Sequence, residues 1–395
     1  MPQILEIPAT ADVADAGRET WDVAVVGAGP AGALAARELA RRGARVLLAD
    51  KSAFPRGKVC GCCLNGRALA ALAQVGLGEL PTRLGAIPLA SARLSAGSRH
   101  AEVALPGGMA ISRESLDAAL VEEAIAAGAV FLPRTQARLA TGGEGVRALS
   151  LTQGPIQALA RSRVLLAADG LAGRLLDGEP DFESRPARGS RVGAATILSD
   201  FPANYREGVV YLACGSGGYV GLVRIENNRL DVAAAFDTRA MRRAGGPGPL
   251  AEEILRKAGL PSCDELAGAA WHGTPALTRR RCRLAGERLF VLGDAAGYVE
   301  PFTGEGMAWA LTSAVAVTEP ALAGAQSWHS GLADRWEATH RRLVGRRQKT
   351  CRAISLILRS PRFATCLLGV LAKATWPADL LLAGMNRTLP VEAMP

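Results

Sequence analysis

The stretch Trp21 to Lys51, WDVAVVGAGPAGALAARELARRGARVLLADK, limits what this chain can fold into more than any other. Val23 to Val26 is an apolar run of the length and β-branched content of a buried parallel strand. Gly27, Gly29 and Gly32 follow in G-x-G-x-x-G spacing. Leu34, Ala35, Leu39 and Ala40 then repeat with helical period, and Arg41-Arg42-Gly43 closes the helix with positive charge and a glycine stop. Arg45 to Ala49 is a second strand, ending at Asp50 and Lys51. The three glycines serve different ends. Gly27 permits a tight turn, Gly29 lets the backbone approach a pyrophosphate, and Gly32 allows close packing of helix on strand. Ala31 sits in the first helical turn, whose free N–H groups and partial positive charge suit phosphate oxygens. Asp50, eighteen residues beyond Gly32, stands where a carboxylate accepts both hydroxyl protons of an adenosine ribose, which favours FAD or NAD over NADP.

The 395 residues, 49% hydrophobic with 45 glycines, suit a large-cored α/β protein of two or three domains. The net charge of +9 fits an anionic ligand, an acidic carrier protein or a membrane surface. Nucleic acid is not expected as a partner, because there is no recognition motif and no basic patch interleaved with aromatics. Residues 1–20 carry neither a basic n-region nor a long apolar run and read as a mobile tail. No stretch reaches the length of a membrane span, so a cytoplasmic, reduced protein is the expectation, peripheral at most to the inner face of a membrane.

Along the chain, Arg67 to Val75 reads as a helix, and Ile87 to Leu105 as two strands outside the nucleotide unit. Ser112 caps a helix that begins at Arg113. Val146 to Leu151 and Ile156 to Leu159 suggest a hairpin, and Arg163 to Asp169 a separate buried strand ending in Asp-Gly. Val192–Leu198, Gly208–Cys214, Gly218–Arg224 and Leu230–Phe236 predict one antiparallel sheet. Leu250 to Ala258 and Met307 to Val317 are helices, and Arg288 to Asp294 is another buried strand ending in Gly-Asp.

Gly27-x-Gly29-x-x-Gly32, then Asp169-Gly170, then Gly293-Asp294, in that order, resembles the FAD-binding pattern of the para-hydroxybenzoate hydroxylase-like flavoproteins. Within that superfamily, Pro55-Arg56-Gly57-Lys58-Val59-Cys60-Gly61 and Gly293 to Gly297 with Pro301 to Gly306 look most like the geranylgeranyl reductase branch. The resemblance implies an α/β fold: a Rossmann-like FAD-binding domain (21–85, 110–185 and 275–325) interleaved with an α+β substrate domain (86–109 and 186–274) built on an antiparallel sheet. A basic helical C-terminal region (326–395) follows. The resemblance assigns Gly27, Gly29 and Gly32 to the pyrophosphate, Asp50 to the adenosine ribose, Arg113 to the ribityl–phosphate region, Asp294 to the ribityl chain or the pyrophosphate, and Gly304, Glu305 and Gly306 to the isoalloxazine edge. Ala31, Lys51, Arg56, Asp169 and Gly293 are further expected cofactor-binding residues. Cys60 falls where reductases of this branch keep a cysteine close to the flavin. The substrate strand Gly218–Arg224 keeps Tyr219 but lacks the branch's tryptophan and Phe-Pro, and no Trp-x-Trp-x-Ile-Pro halogenase motif is present.

Cys60, Cys62 and Cys63 lack the spacing of a zinc site, so no metal is expected. Two readings of Cys60 stay open: a redox residue whose thiolate Arg56 and Lys58 favour, or a small residue packed in a tight loop. The C-terminal basic run likewise reads either as a surface for anionic lipid or an acidic carrier protein, or as a solvated helix face. The expected activity is reduction of a double bond in a lipophilic small molecule by FAD, with NAD(P)H as electron donor. The alternatives are NAD(P)H-dependent hydroxylation of an aromatic or polyketide-like substrate, and a flavin-binding partner protein without turnover.

Overall fold

The computed structural model describes residues 5–300, 304–359 and 368–369. Its first sheet has a parallel core of five strands, side by side in the order Leu289–Val291, Ile156–Ala167, Thr20–Val26, Val46–Ala49 and Val130–Leu132. The apolar run at Val23 to Val26 is buried on both faces. Val23 and Val25 pack with the helices Pro30–Arg41, Arg113–Ala126 and Gly306–Gln326. Trp21, Ala24 and Val26 pack on the other side with Leu149, Leu151 and Phe182. Double burial is why this strand reads as a continuous hydrophobic run and not as an alternation.

Where two strands were expected between Ile156 and Asp169, the chain forms one, Ile156–Ala167. Ala160-Arg161-Ser162 contains no turn residue, so the backbone stays extended. Its first half pairs antiparallel with Arg147–Gln153, and its second half lies parallel in the nucleotide sheet. Residues 5–20, expected to be a mobile tail, are docked. The Ile7 N–H donates to the Phe54 carbonyl at 2.8 Å, the Thr10 N–H to the Phe131 carbonyl at 3.0 Å, and Ile7 and Val13 are buried.

The second sheet has eight strands in the order His272–Ala276, Val192–Leu198, Arg229–Phe236, Gly218–Ile225, Val209–Gly215, Ile87–Ala96, Arg99–Ala110 and Cys63–Leu64. The four strands expected to form one antiparallel sheet do so, and Val209–Gly215 at their edge continues the sheet by running parallel to Ile87–Ala96. One face carries Tyr211, Val220, Leu222, Val232 and Ala234 under the helix Pro247–Lys257. The other face meets the nucleotide-binding side: Tyr219, Leu212 and Ala235 pack on Leu171, and Val223 packs with Cys62.

The C-terminal helices Gly331–His340 and Arg346–Leu358 are joined by a π turn at Arg341–Gly345. Trp336 is wholly buried and its Nε1 donates to the Val291 carbonyl at 3.1 Å, fixing the first of them to the parallel sheet. Among the described residues no helix is long and apolar enough to cross a membrane. The expectations for Pro301 to Thr303 and for most of 360–395 lie outside the described residues.

His340 is buried beside Trp336, and burial lowers its pKa to about 4. The unfolded chain therefore takes up this proton first as pH falls. Stability from the neutral imidazole is present above the unfolded pKa of about 6.5 and is lost between there and pH 4, by about 3 kcal/mol in all. Urea midpoints measured across this range should fall with pH, and His340→Phe should flatten that part of the profile.

Candidate active site

The glycine turn is built by backbone collisions that other residues would create. Gly27 has φ +100°, and a Cβ on it would stand 2.3 Å from the Ala168 carbonyl oxygen. A Cβ on Gly32 would stand 1.8 Å from the Gly27 oxygen, so helix and turn touch backbone to backbone. Gly29 differs. It is the N-cap of Pro30–Arg41 with an ordinary φ, and a Cβ there would meet only the guanidiniums of Arg113 at 3.7 Å and Arg56 at 3.8 Å. The space before the helix N-terminus is thus lined by two cations together with the helix dipole, the environment a pyrophosphate needs. These residues fit the ADP half of FAD, and Gly29 marks where its phosphates would lie.

The two arginines are held in place by a residue the sequence did not single out. Asp117, fully buried, accepts from Arg113 Nε and Nη2 at 2.7 Å each and lies 3.4 Å from Arg56 Nη1. The i, i+4 spacing of Arg113 and Asp117 was the signal that could have found it. Arg56 also lies over the Phe54 ring at 4.6 Å. Asp50 accepts from the backbone N–H groups of Ala28 and Ser52, both at 2.8 Å, so it ties the glycine turn to the end of the second strand. Lys51 beside it is exposed.

Asp294 lies in the short helical turn Gly293–Ala296, where Gly293 packs against Ala31 of the nucleotide helix. Its charge acts on both Lys58 and Arg113, which brings the third motif to the first. Lys58 is half-buried, and desolvation first, then the Arg113 charge, lowers its pKa. The Asp169 side chain turns back on its own loop, accepting from the Leu175 N–H at 2.9 Å and resting against Gly173. Burial raises its pKa. Glu305 is also engaged by protein: Trp309 Nε1 donates to it at 3.0 Å, Asn65 Nδ2 at 3.3 Å, and Arg67 and Arg347 stand at 3.6 and 3.5 Å. Around it, Gly304 has φ +68° and abuts Cys63, and Gly306 abuts the Tyr298 hydroxyl.

The cysteine loop therefore meets the Gly304 segment directly. Cys62 has φ +50°, unusual for a residue with a Cβ, and its carbonyl accepts from the Ile111 N–H at 2.8 Å as Cys63–Leu64 joins the second sheet. Cys60 is held below the ordinary thiol range, to about 6. A hydrogen bond from the Cys62 thiol is the main cause, burial opposes it, and the Arg113 charge adds to it. The cations expected to do this, Arg56 and Lys58, are not the ones that dominate. Cys62 and Cys63 are pushed the other way, Cys62 chiefly by its bond to Cys60 and Cys63 by burial.

Beside this loop lies a cavity of about 650 Å³. Gly57, Lys58, Val59 and Cys62 form one wall, and Ala195, Ile197, Leu198 and Asp231 of the second sheet another. Arg113 belongs both to this cavity and to the space before Gly29. Tyr211 points away from the cavity: its hydroxyl donates to the Asn204 carbonyl at 2.8 Å on the helix-covered face.

The FAD-binding domain family matches residues 20–325. The chain belongs to that family. It is an FAD-dependent oxidoreductase of the para-hydroxybenzoate hydroxylase-like superfamily. It is 30% identical to a menaquinone reductase of Mycobacterium tuberculosis over 370 residues, 87% of this chain and 86% of that one. It is 28% identical to digeranylgeranylglycerophospholipid reductase 1 of Methanopyrus kandleri over 350 residues, 81% and 87% of the two chains. The fold is shared with a geranylgeranyl bacteriochlorophyll reductase-like protein of Thermoplasma acidophilum, with TM-score 0.74 at 17% identity, covering 93% and 96% of the chains.

The C-terminal helix has a role in this flavoprotein that its charge did not suggest. Gln348 Nε2 donates to the Gly297 carbonyl at 3.1 Å, Ser355 Oγ to the Glu300 carbonyl at 3.1 Å, and Arg347 pairs with Glu305. It braces the loop after the third motif at three points.

Two glycine substitutions separate folding from cofactor binding. Gly29→Ala should keep the wild-type melting temperature in the apoprotein yet lose FAD affinity at least about tenfold, because its Cβ takes phosphate space. Gly32→Ala should fail to give folded protein. Fluorescence titration with FAD and circular dichroism melting distinguish the two.

Proposed function

We propose that this flavoprotein reduces a carbon–carbon double bond in a lipophilic substrate of isoprenoid or prenylquinone type, with NAD(P)H as electron donor. The observation that carries this reading is the cavity, whose sheet wall carries Ala195, Ile197 and Leu198 beside Thr196 and Asp231 and which borders the cysteine loop. A wall of that composition binds by excluding water from apolar surface, at about 25 cal/mol per Å² buried. The names of the related menaquinone and digeranylgeranylglycerophospholipid reductases agree with a substrate of this kind. FAD, when reduced, supplies the electron pair and one hydrogen.

The chain's own residues then divide the work. Gly27, Gly29, Gly32, Arg56 and Arg113 hold the pyrophosphate, and Asp117 keeps both guanidiniums oriented toward it. Asp50 serves the adenosine end. Asp294 and Lys58 balance charge where the third motif meets the first. The Gly304 to Gly306 segment, against Cys63 and Tyr298, forms the boundary between cofactor and substrate space. Arg341, Arg342, Arg346, Lys349 and Arg352 are exposed or half-buried and alternate with the buried Leu343, Val344 and Cys351. That cationic face suits the anionic membrane surface from which such a substrate would be drawn.

The test is anaerobic incubation of the holoenzyme with NADPH or NADH and geranylgeranyl or prenylquinone substrates, followed by mass spectrometry. A product heavier by two hydrogens is expected. A product carrying an atom of labelled oxygen, formed only in air, would replace this reading by hydroxylation. Cys60 gives a separate check. Its alkylation by iodoacetamide, followed by peptide mass mapping, should be half-maximal near pH 6 and not in the ordinary thiol range near about 8.5.

A further inference from the structure

The sheet face that looks onto the cavity is apolar apart from Tyr219 and one acidic residue. On Arg229–Phe236 that face carries Asp231, Ala233 and Ala235. Their partners are Ile197, Ala195 and Gly193 on one neighbouring strand and Val223, Gly221 and Tyr219 on the other. Asp231 lines the cavity with Cys62 and Ile197. It is 3% exposed, and its Oδ2 is buried without a hydrogen-bond partner.

The Cys62 thiol hydrogen-bonds to this carboxyl and opposes the effect of burial, but Oδ2 has no partner. A carboxylate ionised there is costly, and a valine would fill the position without that cost. The nearest arginine on its strand, Arg229, spends its fork on Glu114 at 2.9 Å and Glu226 at 3.1 Å. The Cys62 hydrogen bond and the Arg113 charge favour the thiolate form of Cys60, which makes it a poor proton donor. The second hydrogen has to arrive as a proton.

We propose that Asp231 is the general acid of the reduction, giving its carboxyl proton to one carbon of the substrate's double bond. The proposal rests on the reductase reading above. One alkene carbon takes the electron pair and a hydrogen from the reduced cofactor, which is thereby oxidised. The π bond and the Asp231 O–H bond break, and a C–H bond forms at the second carbon. Asp231 is left as a carboxylate and regains a proton from solvent through the cavity. Its surroundings support the protonated resting form. Burial pushes its pKa well above the carboxylate range, and the negative charge at Cys60 pushes it further. Cys60, Cys62 and Cys63 face it from the loop, Glu226 from the preceding turn and Arg229 from the start of its own strand, and Lys58, Arg113, Glu114, Glu265 and His272 line the same cavity.

The isosteric Asp231→Asn variant of the holoenzyme provides the test. It should bind FAD, be reduced by NAD(P)H and melt as wild type does, while transfer to the substrate slows by about 10²–10⁴-fold. The fall in wild-type rate at high pH, where the carboxyl ionises, should be missing from the variant. Independently of turnover, the wild-type-minus-variant infrared spectrum at neutral pH should contain the carbonyl stretch of a protonated carboxyl. Wild-type transfer rates in Asp231→Asn, or an infrared difference showing only ionised carboxylate, would overturn the assignment. A protonated-carboxyl band in a wild-type enzyme that reduces no lipophilic alkene would instead overturn the reductase reading on which it rests.

Discussion

The contact between the Gly27 carbonyl and the α-carbon of Gly32 is the constraint on which the rest of this molecule depends. Because neither residue has a side chain, the helix Pro30–Arg41 lies against the turn with no gap. Its N-terminus then faces open space at Gly29 instead of protein. Everything that gathers around that space carries charge suited to phosphate: Arg56, Arg113 and the helix dipole, with the buried Asp117 fixing the arginines. A buried pair such as Arg113–Asp117 adds little net stability, but leaving either member alone costs several kcal/mol. Its value lies in orientation.

A second theme is that one short loop serves both halves of the protein. Phe54 to Leu64 starts shortly after Asp50, passes Arg56 and Lys58 beside the glycine turn, and ends as an edge strand of the second sheet at Cys63–Leu64. Along that course its charged groups meet Arg113 and Asp294, and its thiols meet Asp231. The opposed shifts of Cys60 and Asp231 follow from this geometry. A thiolate favoured by Cys62 and Arg113 makes a nearby carboxylate less favourable, so the surroundings push the two groups in opposite directions.

Much of this was legible in the sequence, where local chemistry decides the structure. The strand–glycine–helix unit is written in residues whose replacement would collide with backbone, and the caps at Ser112 and Gly43 obey short-range rules. Asp231 was not legible, because its meaning comes from strand register: only pairing with Ile197 and Val223 shows it as the acidic exception on an apolar face. Asp169 and Glu305 carry the right residue types in the right motifs, yet their carboxylates are taken by Leu175 N–H and by Trp309, Asn65 and two arginines. The bracing role of Gln348 and Ser355 joins residues about fifty positions apart, which no local pattern encodes. The docked N-terminus depends on carbonyls of Phe54 and Phe131 that sequence does not place beside it.

In the proposed reductase the reduced cofactor and a lipophilic substrate meet at the cavity between the cysteine loop and the second sheet. A crystal structure of the FAD complex with a bound prenyl substrate is the decisive measurement. The pyrophosphate is expected at Gly29 between Arg56 and Arg113, the flavin ring beside the Gly304 segment, and the substrate double bond between that ring and Asp231. A substrate bound on any other face of the second sheet, or a cofactor that leaves the space at Gly29 empty, would contradict this arrangement.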